Sequence, residues 1–232
     1  VVKIIAVIPA RGGSKRIKNK NIKLFFGKPM IAWTIIAAKK AKVFKRILVS
    51  TDNIKIANIA KKYGAEVPFL RDKFIDDISP ISKATIYDLN RASNHWKEKY
   101  DIVVQLMANC PLRNHYDIKK SLKRFINRKR NFQISCFKFR WMNPWWSFKL
   151  DKNKFGKPLF PTNVKKRSQD LPDLFCPTGA VWIARVKELF KSKSFYGNKY
   201  CFEEINWMNA IDIDDNDDLN FAKIAKNFVK KN

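Results

Sequence analysis

The segment Lys3-Ile4-Ile5-Ala6-Val7-Ile8-Pro9 decides the fold, because it is apolar after its first residue and runs straight into Ala10-Arg11-Gly12-Gly13-Ser14-Lys15. An uninterrupted apolar run of this length is typical of a central strand that is covered on both faces. The basic, glycine-bearing loop at residues 10–21 then follows the carboxyl end of that strand, where α/β sheets bind their ligands. The sequence therefore predicts an α/β fold with a ligand site at this loop.

Strand-like and helix-like patterns alternate along the first half of the chain. The predicted elements are a helix opened by Pro29 over residues 29–38, a strand at 46–52, a helix at 54–63 capped by Asp52 or Asn53 and ended by Gly64, a short strand at 65–69, a helix at 83–99 and a strand at 101–107. Such alternation implies right-handed crossovers and a largely parallel sheet. The loops after Ile8, after Ser50 and at residues 108–113 are then expected to meet at one edge of the sheet.

Beyond Phe132 the pattern changes to short β-like runs at residues 133–139 and 146–150, with a strong turn signal at 151–158. We interpret residues 137–170 as a protruding antiparallel excursion from the main sheet. Residues 180–184 form a further predicted strand, and the strand-like segment 209–214 leads into a closing amphipathic helix at 217–229. With 232 residues, 46% of them hydrophobic, the chain is expected to form one domain over residues 1–232.

The composition excludes several classes of protein. No stretch approaches the roughly 18 consecutive apolar residues that a membrane span requires. Residues 1–8 are apolar but follow no basic region, so a strand is expected there rather than a secretion signal. The four cysteines match neither CxxC pairs nor a small disulfide framework. We therefore expect a protein of the reducing cytoplasm that does not enter a membrane.

The formal net charge of +28 suggests a polyanionic partner. The sequence contains 36 Lys against 12 Arg, however, whereas nucleic-acid recognition favours the planar Arg guanidinium. Lys, Ile and Asn are enriched together, and their codons are rich in A and T, so compositional drift explains much of the charge. Nucleic acid is therefore not the expected partner, and a basic nucleic-acid-binding α/β module is kept only as an alternative.

The loop at residues 11–21 concentrates five cations around two glycines and a serine. Glycine allows backbone N–H groups to approach phosphate oxygens, and Arg and Lys offset the phosphate charge. The pattern is neither a Walker A loop nor GxGxxG. A flexible basic loop is the alternative, but the position at the end of a strand favours polyphosphate binding.

Several motifs occur in the order and spacing of one enzyme family. They are Ile8-Pro9-Ala10-Arg11-Gly12-Gly13-Ser14-Lys15 with Lys20-Asn21, Gly27-Lys28-Pro29-Met30, Val49-Ser50-Thr51-Asp52, Gln169-Asp170-Leu171-Pro172, Pro177-Thr178-Gly179-Ala180-Val181-Trp182 and Ile211-Asp212-Ile213-Asp214. The chain thereby resembles the cytidylyltransferases that activate nine-carbon acidic sugars, namely the CMP-sialic acid synthetases and their legionaminate and pseudaminate relatives. The resemblance implies a Rossmann-like, three-layer α/β/α nucleotidyltransferase fold. It also implies transfer of CMP from CTP to the anomeric hydroxyl of a nonulosonic acid, with release of pyrophosphate.

The resemblance further implies roles for individual residues. The nucleotide is expected to contact Arg11, Gly12, Gly13, Ser14, Lys15, Lys20, Asn21 and Asn109. Arg11 and Lys20 are expected to be catalytic and to stabilise charge at the α-phosphate. Asp212, also catalytic, and Asp214 are the expected Mg²⁺ ligands, because residues i and i+2 of a strand face one side and Mg²⁺ prefers one or two carboxylates with phosphate oxygens. Helix capping is the alternative for Asp214, but it leaves Asp212 without a partner.

Departures from the family pattern leave the identity of the sugar open. Where many sialic acid synthetases carry Gln, this chain has Met107, so Asn109 is expected to take over polar contacts to cytosine or ribose. Arg167 lies one place earlier than in that branch, as in pseudaminate-type enzymes, whereas Thr178 resembles the sialate and legionaminate branch. Arg167, Gln169 and Thr178 are the expected contacts of a sialic, legionaminic or pseudaminic acid. Another sugar acid, such as Kdo, is the alternative.

An aromatic cluster lies in the predicted excursion and comprises Phe137, Phe139, Trp141, Trp145, Trp146 and Phe148. Such rings are able to stack on a sugar or on bases. A small β excursion would otherwise leave this much aromatic surface exposed, so packing against a second subunit is favoured. Family members pair through this region, and the resemblance therefore implies a homodimer.

Overall fold

A computed structural model describes residues 2–76 and 78–229. The strands are β1 (Ile4–Pro9), β2 (Leu24–Phe25), β3 (Lys28–Pro29), β4 (Arg46–Ser50), β5 (Ile102–Gln105), β6 (Phe132–Lys138), β7 (Phe148–Leu150), β8 (Gly156–Pro158), β9 (Phe175–Arg185) and β10 (Cys201–Glu204). The helices are α1 (Met30–Ala41), α2 (Ile54–Lys62), α3 (Ile81–Trp96), α4 (His115–Asn127), α5 (Val186–Ser192) and α6 (Asn216–Val229). No helix in this described part of the chain is long and apolar enough to cross a membrane.

The central sheet contains six strands in the order β10-β6-β9-β5-β1-β4. β1 lies between β4 and β5 and pairs with both in parallel, and β10 pairs with β6 in parallel. β9 is the exception, because it runs antiparallel to both β5 and β6. The predicted α/β class with a mostly parallel sheet is confirmed, and the structure adds one long antiparallel strand within it.

The apolar run of β1 is explained by the layers on its two sides. Ile4, Ala6 and Ile8 pack in a core with α1, α2 and α4, whereas Ile5 and Val7 pack in a second core with α3 and α5. Successive side chains of a strand point to opposite faces, so a strand that is covered on both faces needs apolar residues throughout. The fold is therefore the three-layer α/β/α arrangement that the sequence predicts.

Two predicted strands of the middle region are corrected by the structure. Residues 133–138 of the predicted run at 133–139 lie in the main sheet as part of β6, where β9 and β10 supply a pairing partner on each edge, so the sheet includes the start of the excursion expected at 137–170. Residues 65–69 form a single bridge between Glu66 and Leu48 rather than a strand. The protruding excursion is thus smaller than expected, and its only regular β-structure in the described residues is the hairpin of β7 and β8.

The segment at residues 209–214 does not form the predicted strand. It lies near the part of β9 that precedes Trp182, where β9 is not paired with β5, but it forms no ladder with β9. Individual hydrogen bonds hold the segment instead. The Thr178 hydroxyl donates to the backbone oxygen of Ala210 at 2.6 Å, and the Ile213 N–H donates to the backbone oxygen of Asn109 at 2.9 Å.

The excursion leaves large apolar side chains in contact with solvent. Trp141 is 82% exposed, and Leu150 and Phe155 are also exposed. Trp145 packs edge-on against Phe160, with 4.9 Å between the ring centroids, although Phe160 is itself exposed.

Candidate active site

A cleft of about 490 Å³ opens where β1 and β5 end, a size that is usual for small-molecule sites. Its walls are the basic loop after β1, the loop after β5 and the segment that precedes α3. The expected nucleotide contacts among its lining residues are Arg11, Ser14, Lys15, Lys20, Asn21 and Asn109, together with Asp214 from the acidic segment. One concave surface thus contains cations from the start of the chain and a carboxylate from near its end.

Hydrogen bonds fasten the basic loop along its length. The Gly12 N–H donates to Asp52 Oδ1 at 2.8 Å, and Asn21 Nδ2 donates to the backbone oxygen of Arg11 at 2.9 Å. A Cβ at Gly12 would lie 2.7 Å from Nδ2 of Asn53, whose Oδ1 accepts the N-terminal N–H groups of α2. Glycine is therefore required here, because the loop backbone lies directly against the start of α2.

Lys20 joins the basic loop to the acidic segment. Its Nζ lies 2.9 Å from Asp214 Oδ1, and Arg16 contacts the other carboxylate oxygen of Asp214 at 2.7 Å. Asn109 Nδ2 lies 3.3 Å from Asp214 Oδ1. Partial burial opposes ionisation of Asp214, but the hydrogen bonds and charges of Lys20 and Arg16 outweigh it and lower the pKa. The two segments expected to share a ligand are therefore in contact.

Asp212 has a different environment from Asp214. Its Oδ1 is buried and has no hydrogen-bond partner within residues 2–76 and 78–229. Burial and, secondly, the charge of Asp214 raise the pKa of Asp212 from 3.8 to about 6. A Cβ at Gly179 would lie 3.2 Å from Asp212 Oδ2 and 2.5 Å from Met107 Cγ. Glycine therefore makes room for both of these side chains.

The acidic pair is compatible with a divalent cation. No group of three or more His, Cys, Asp or Glu side chains suited to a metal occurs among the described residues. Mg²⁺ does not require such a group, because it often uses one or two carboxylates together with substrate phosphates. The orphaned buried oxygen of Asp212 fits this donor set, since a buried carboxylate without a partner is costly. Lys20 and Arg16 contact the two carboxylate oxygens of Asp214, so Asp214 can join this donor set only when the two cations bind another anion instead.

Among the described residues, the three expected sugar contacts do not line this cleft. Thr178 is buried, and its hydroxyl is engaged by the backbone of Ala210. Arg167 is exposed and pairs with Asp170 at 2.8 Å, and Gln169 lines a separate groove of about 480 Å³. The structure therefore does not bring these three residues to the cleft of their own chain, and their role in sugar binding stays a prediction.

Arg71 and Ser79 line the cleft although the sequence analysis assigned no role to them. Arg71 is only 4% exposed, and its Nη1 donates to the Ser50 hydroxyl at 2.8 Å. The sequence contained one signal for Arg71, which is its position directly after the apolar pair Phe69-Leu70. An arginine that is buried with apolar neighbours normally has a specific partner, so this position indicated a specific role.

Comparisons with known proteins agree with this geometry. The family model described as "Cytidylyltransferase" matches residues 5–153. The chain is 33% identical to the pseudaminic acid cytidylyltransferase of Campylobacter jejuni subsp. jejuni serotype O:23/36 (strain 81-176), over 96% of each chain. It is 32% identical to the CMP-N,N'-diacetyllegionaminic acid synthase of Legionella pneumophila subsp. pneumophila (strain Philadelphia 1), over 84% of this chain and 83% of the relative.

A solved structure supports the fold in the same way. The structure of a CMP:2-keto-3-deoxy-manno-octonic acid synthetase complexed with CTP superposes with a TM-score of 0.70 at 14% identity, over 99% of this chain and 100% of the other. At this identity the likeness concerns the fold alone. The Rossmann-like nucleotidyltransferase fold that the sequence predicts is confirmed by it.

Proposed function

Because the chain belongs to the cytidylyltransferase family, we propose that it transfers CMP from CTP to the anomeric hydroxyl of a nonulosonic acid and releases pyrophosphate. The relatives named for pseudaminic and legionaminic acid are 33% and 32% identical to it over most of the chain, so a sugar of one of these types is the first candidate. The likeness to the octonic acid synthetase is limited to the fold, at 14% identity, which disfavours Kdo as the substrate.

The contact between Lys20 and Asp214 is the observation that carries this proposal, because it unites a phosphate-binding loop with a carboxylate in one cleft. Arg11, Lys15 and Lys20 offset the charge of the triphosphate. Asp52 holds the loop in place at the Gly12 N–H, so the side chains of the loop need little rearrangement to receive the phosphates.

The reaction is an in-line displacement at the α-phosphorus. The oxygen of the anomeric hydroxyl forms a bond to phosphorus and gives up its proton to water, the bond to the pyrophosphate oxygen breaks, and pyrophosphate leaves. Arg11 and Lys20 stabilise the charge that develops at the α-phosphate and on the leaving group. This chemistry requires no covalent intermediate with the enzyme.

We assign Asp212 and Asp214 as the ligands of Mg²⁺, which when bound would polarise a phosphate oxygen as a Lewis acid. The orphaned oxygen of Asp212 supports this assignment. Lys20 and Arg16 occupy the oxygens of Asp214, and the phosphates of CTP compete for the same two cations. Nucleotide binding would therefore release Asp214 for the metal ion.

Asn109 is a candidate for recognition of the base or the ribose. It lines the cleft, and its Nδ2 donates to the backbone oxygen of Ile213 at 3.2 Å. Its Oδ1 is buried and has no partner in the described part of the chain. A buried acceptor of this kind suits the amino group of cytosine or a ribose hydroxyl, which are both donors.

We also propose that the chain forms a homodimer through the excursion. The exposed Trp141, Leu150 and Phe155 would be covered by a second copy. Because Arg167 and Gln169 lie away from the cleft of their own chain, a role for them in sugar binding requires the cleft of the partner subunit. A reducing cytoplasm is the proposed compartment, since all four cysteines are free thiols.

Pyrophosphate release in the presence of CTP and Mg²⁺ tests the activity, with pseudaminic, legionaminic and neuraminic acids and Kdo as separate acceptors. The proposal expects release with at least one nonulosonic acid. Lys20→Met is expected to lower kcat/KM by about 10²–10³-fold, as for the loss of one charge-stabilising donor. Lys18→Met is the matched control, because Lys18 is an exposed lysine of the same loop. Absence of release with every nonulosonic acid, or full activity of Lys20→Met, would refute the proposal.

A further inference from the structure

A buried chain of hydrogen bonds links the cleft to the interior of α3. Arg71 lines the cleft, and its Nη1 donates to the Ser50 hydroxyl at 2.8 Å. The Ser50 hydroxyl in turn contacts Oδ2 of Asp88 on α3. Ser50 and Asp88 are 1% and 0% exposed, so water does not compete for these bonds. Asp88 is thus connected to the cleft without lining it.

The direction of each bond follows from the chemistry of the groups. A guanidinium only donates, so the Ser50 oxygen must accept from Arg71, and its single proton is then available for Asp88. An ionised Asp88 accepts that proton and also supplies the negative charge that faces Arg71. Burial raises the pKa of Asp88 and lowers that of Arg71, and the opposite charge of each partner counteracts the effect of burial on the other.

Asp88 also lies beside a second guanidinium on the outer side. Nη1 of Arg91 lies 3.8 Å from Asp88 Oδ1 and 2.9 Å from Asp72 Oδ1, and it donates to the backbone oxygen of Leu70 at 3.0 Å. Asp88 and Arg91 lie on the same side of α3, three residues apart. The helix therefore holds the segment around Arg71 at two points, through Ser50 at Arg71 and through Arg91 at Leu70 and Asp72.

We propose that Asp88 is a positioning residue which, through Ser50, holds the guanidinium of Arg71 in the cleft for CTP. This inference rests on the proposed function, because it takes CTP as the ligand of the cleft. The Nε of Arg71 is buried and has no hydrogen-bond partner among the described residues, so the fold does not satisfy every donor of this guanidinium. Without the negative charge of Asp88, Arg71 loses a buried counter-charge, and the guanidinium is held less firmly in one direction.

Steady-state kinetics of Asp88→Asn test the proposal, because asparagine keeps the shape and removes the charge. The KM for CTP is expected to rise about tenfold, whereas kcat and the KM for the sugar should stay within about twofold, since the lost interaction concerns nucleotide binding. Arg71→Lys should raise the KM for CTP similarly, and the double variant should be no worse than the poorer single variant, because both changes break one network. Asp101→Asn, which removes an exposed carboxylate beside the N-terminal end of β5, is the control and should behave like wild type.

A purely structural role would give a different result. An Asp88→Asn protein that melts earlier but keeps the wild-type KM for CTP would overturn the proposal, and so would effects of the two substitutions that simply multiply. If Asp88→Asn does not fold, Ser50→Ala replaces it with the same expected rise, and an unchanged KM there would also overturn the proposal. Failure of the wild type to release pyrophosphate would refute the proposed function instead, so the two failures are distinguishable.

Discussion

Replacement of Asp212 by asparagine is expected to stabilise the fold at neutral pH while it abolishes pyrophosphate release. The Oδ1 of Asp212 is buried and has no partner in the described residues, and burial raises its pKa from 3.8 to about 6. A displacement of about two pKa units corresponds to a cost of about 3 kcal/mol for the ionised carboxylate. Asparagine has nearly the same shape and no charge, so the variant does not carry this cost.

The sign of the pH dependence follows from the two states of the chain. The pKa of Asp212 is higher in the folded than in the unfolded chain, so the folded state binds more protons between the two values. The free energy of unfolding of the wild type therefore falls as the pH rises from about 4 to about 6, relative to the asparagine variant. Below this window the two proteins should be equally stable, and above it the variant should be more stable by about 3 kcal/mol.

Urea unfolding in EDTA, followed by tryptophan fluorescence from about pH 4 to about pH 8, measures this difference. Asp215→Asn is the matched control, because Asp215 is exposed and its Oδ1 accepts the N–H groups of Asp217 and Asp218, which asparagine also does. This control should gain no stability over the wild type above pH 6. Addition of CTP with Mg²⁺ in excess of the EDTA should stabilise the wild type more than Asp212→Asn, because CTP frees Asp214 for the metal ion. An Asp212→Asn protein that gains no stability above pH 6, or gains the same at every pH, would refute the reasoning.

Three further substitutions test individual contacts. Gly179→Ala places a Cβ 2.5 Å from Met107 Cγ, so the free energy of unfolding should fall by about 1–3 kcal/mol and kcat by about tenfold; wild-type kinetics would contradict this. Glu203→Gln breaks the ion pairs that this buried carboxylate forms with Arg124 and Arg130, so the free energy of unfolding in urea should fall by about 3 kcal/mol. Glu204→Gln, on the exposed face of β10, is the control and should cost less than about 0.5 kcal/mol. Equal costs for the two variants would contradict the importance of these ion pairs. Asn53→Ala removes the cap of α2 and should lower the free energy of unfolding by about 1 kcal/mol, and an unchanged midpoint would show that the cap is dispensable.

The elements of the first half could be predicted because their signals are local. The apolar run of β1, the cap at Asn53 and the left-handed turn at Gly64 each depend on a few neighbouring residues. Packing in the folded chain did not change these preferences, since the strands are covered on both faces as their composition requires. The position of the basic loop could be predicted for a similar reason, because it follows β1 directly in the sequence and therefore lies at the carboxyl end of that strand.

The errors arose where the outcome depends on pairing between distant segments of the chain. The run at residues 133–139 was grouped with the short strands of the excursion, but residues 133–138 have partners on both edges and belong to the main sheet as part of β6. Residues 209–214 have a strand-like alternation, but they form no ladder with β9, and individual hydrogen bonds hold them as an irregular segment. Side-chain periodicity records which face is buried and does not record which neighbour is available.

The amino-acid sequence by itself determined the layered α/β architecture, the basic loop and the family, because these depend on apolar periodicity and on motifs within short stretches. The tertiary structure alone decided that Lys20 contacts Asp214, that Asp212 keeps an orphaned oxygen, and that Arg71 is held in the cleft through Ser50. These features join residues from distant parts of the chain. Their distances and burial are set by how the sheet brings the ends of its strands together, and no local pattern encodes that.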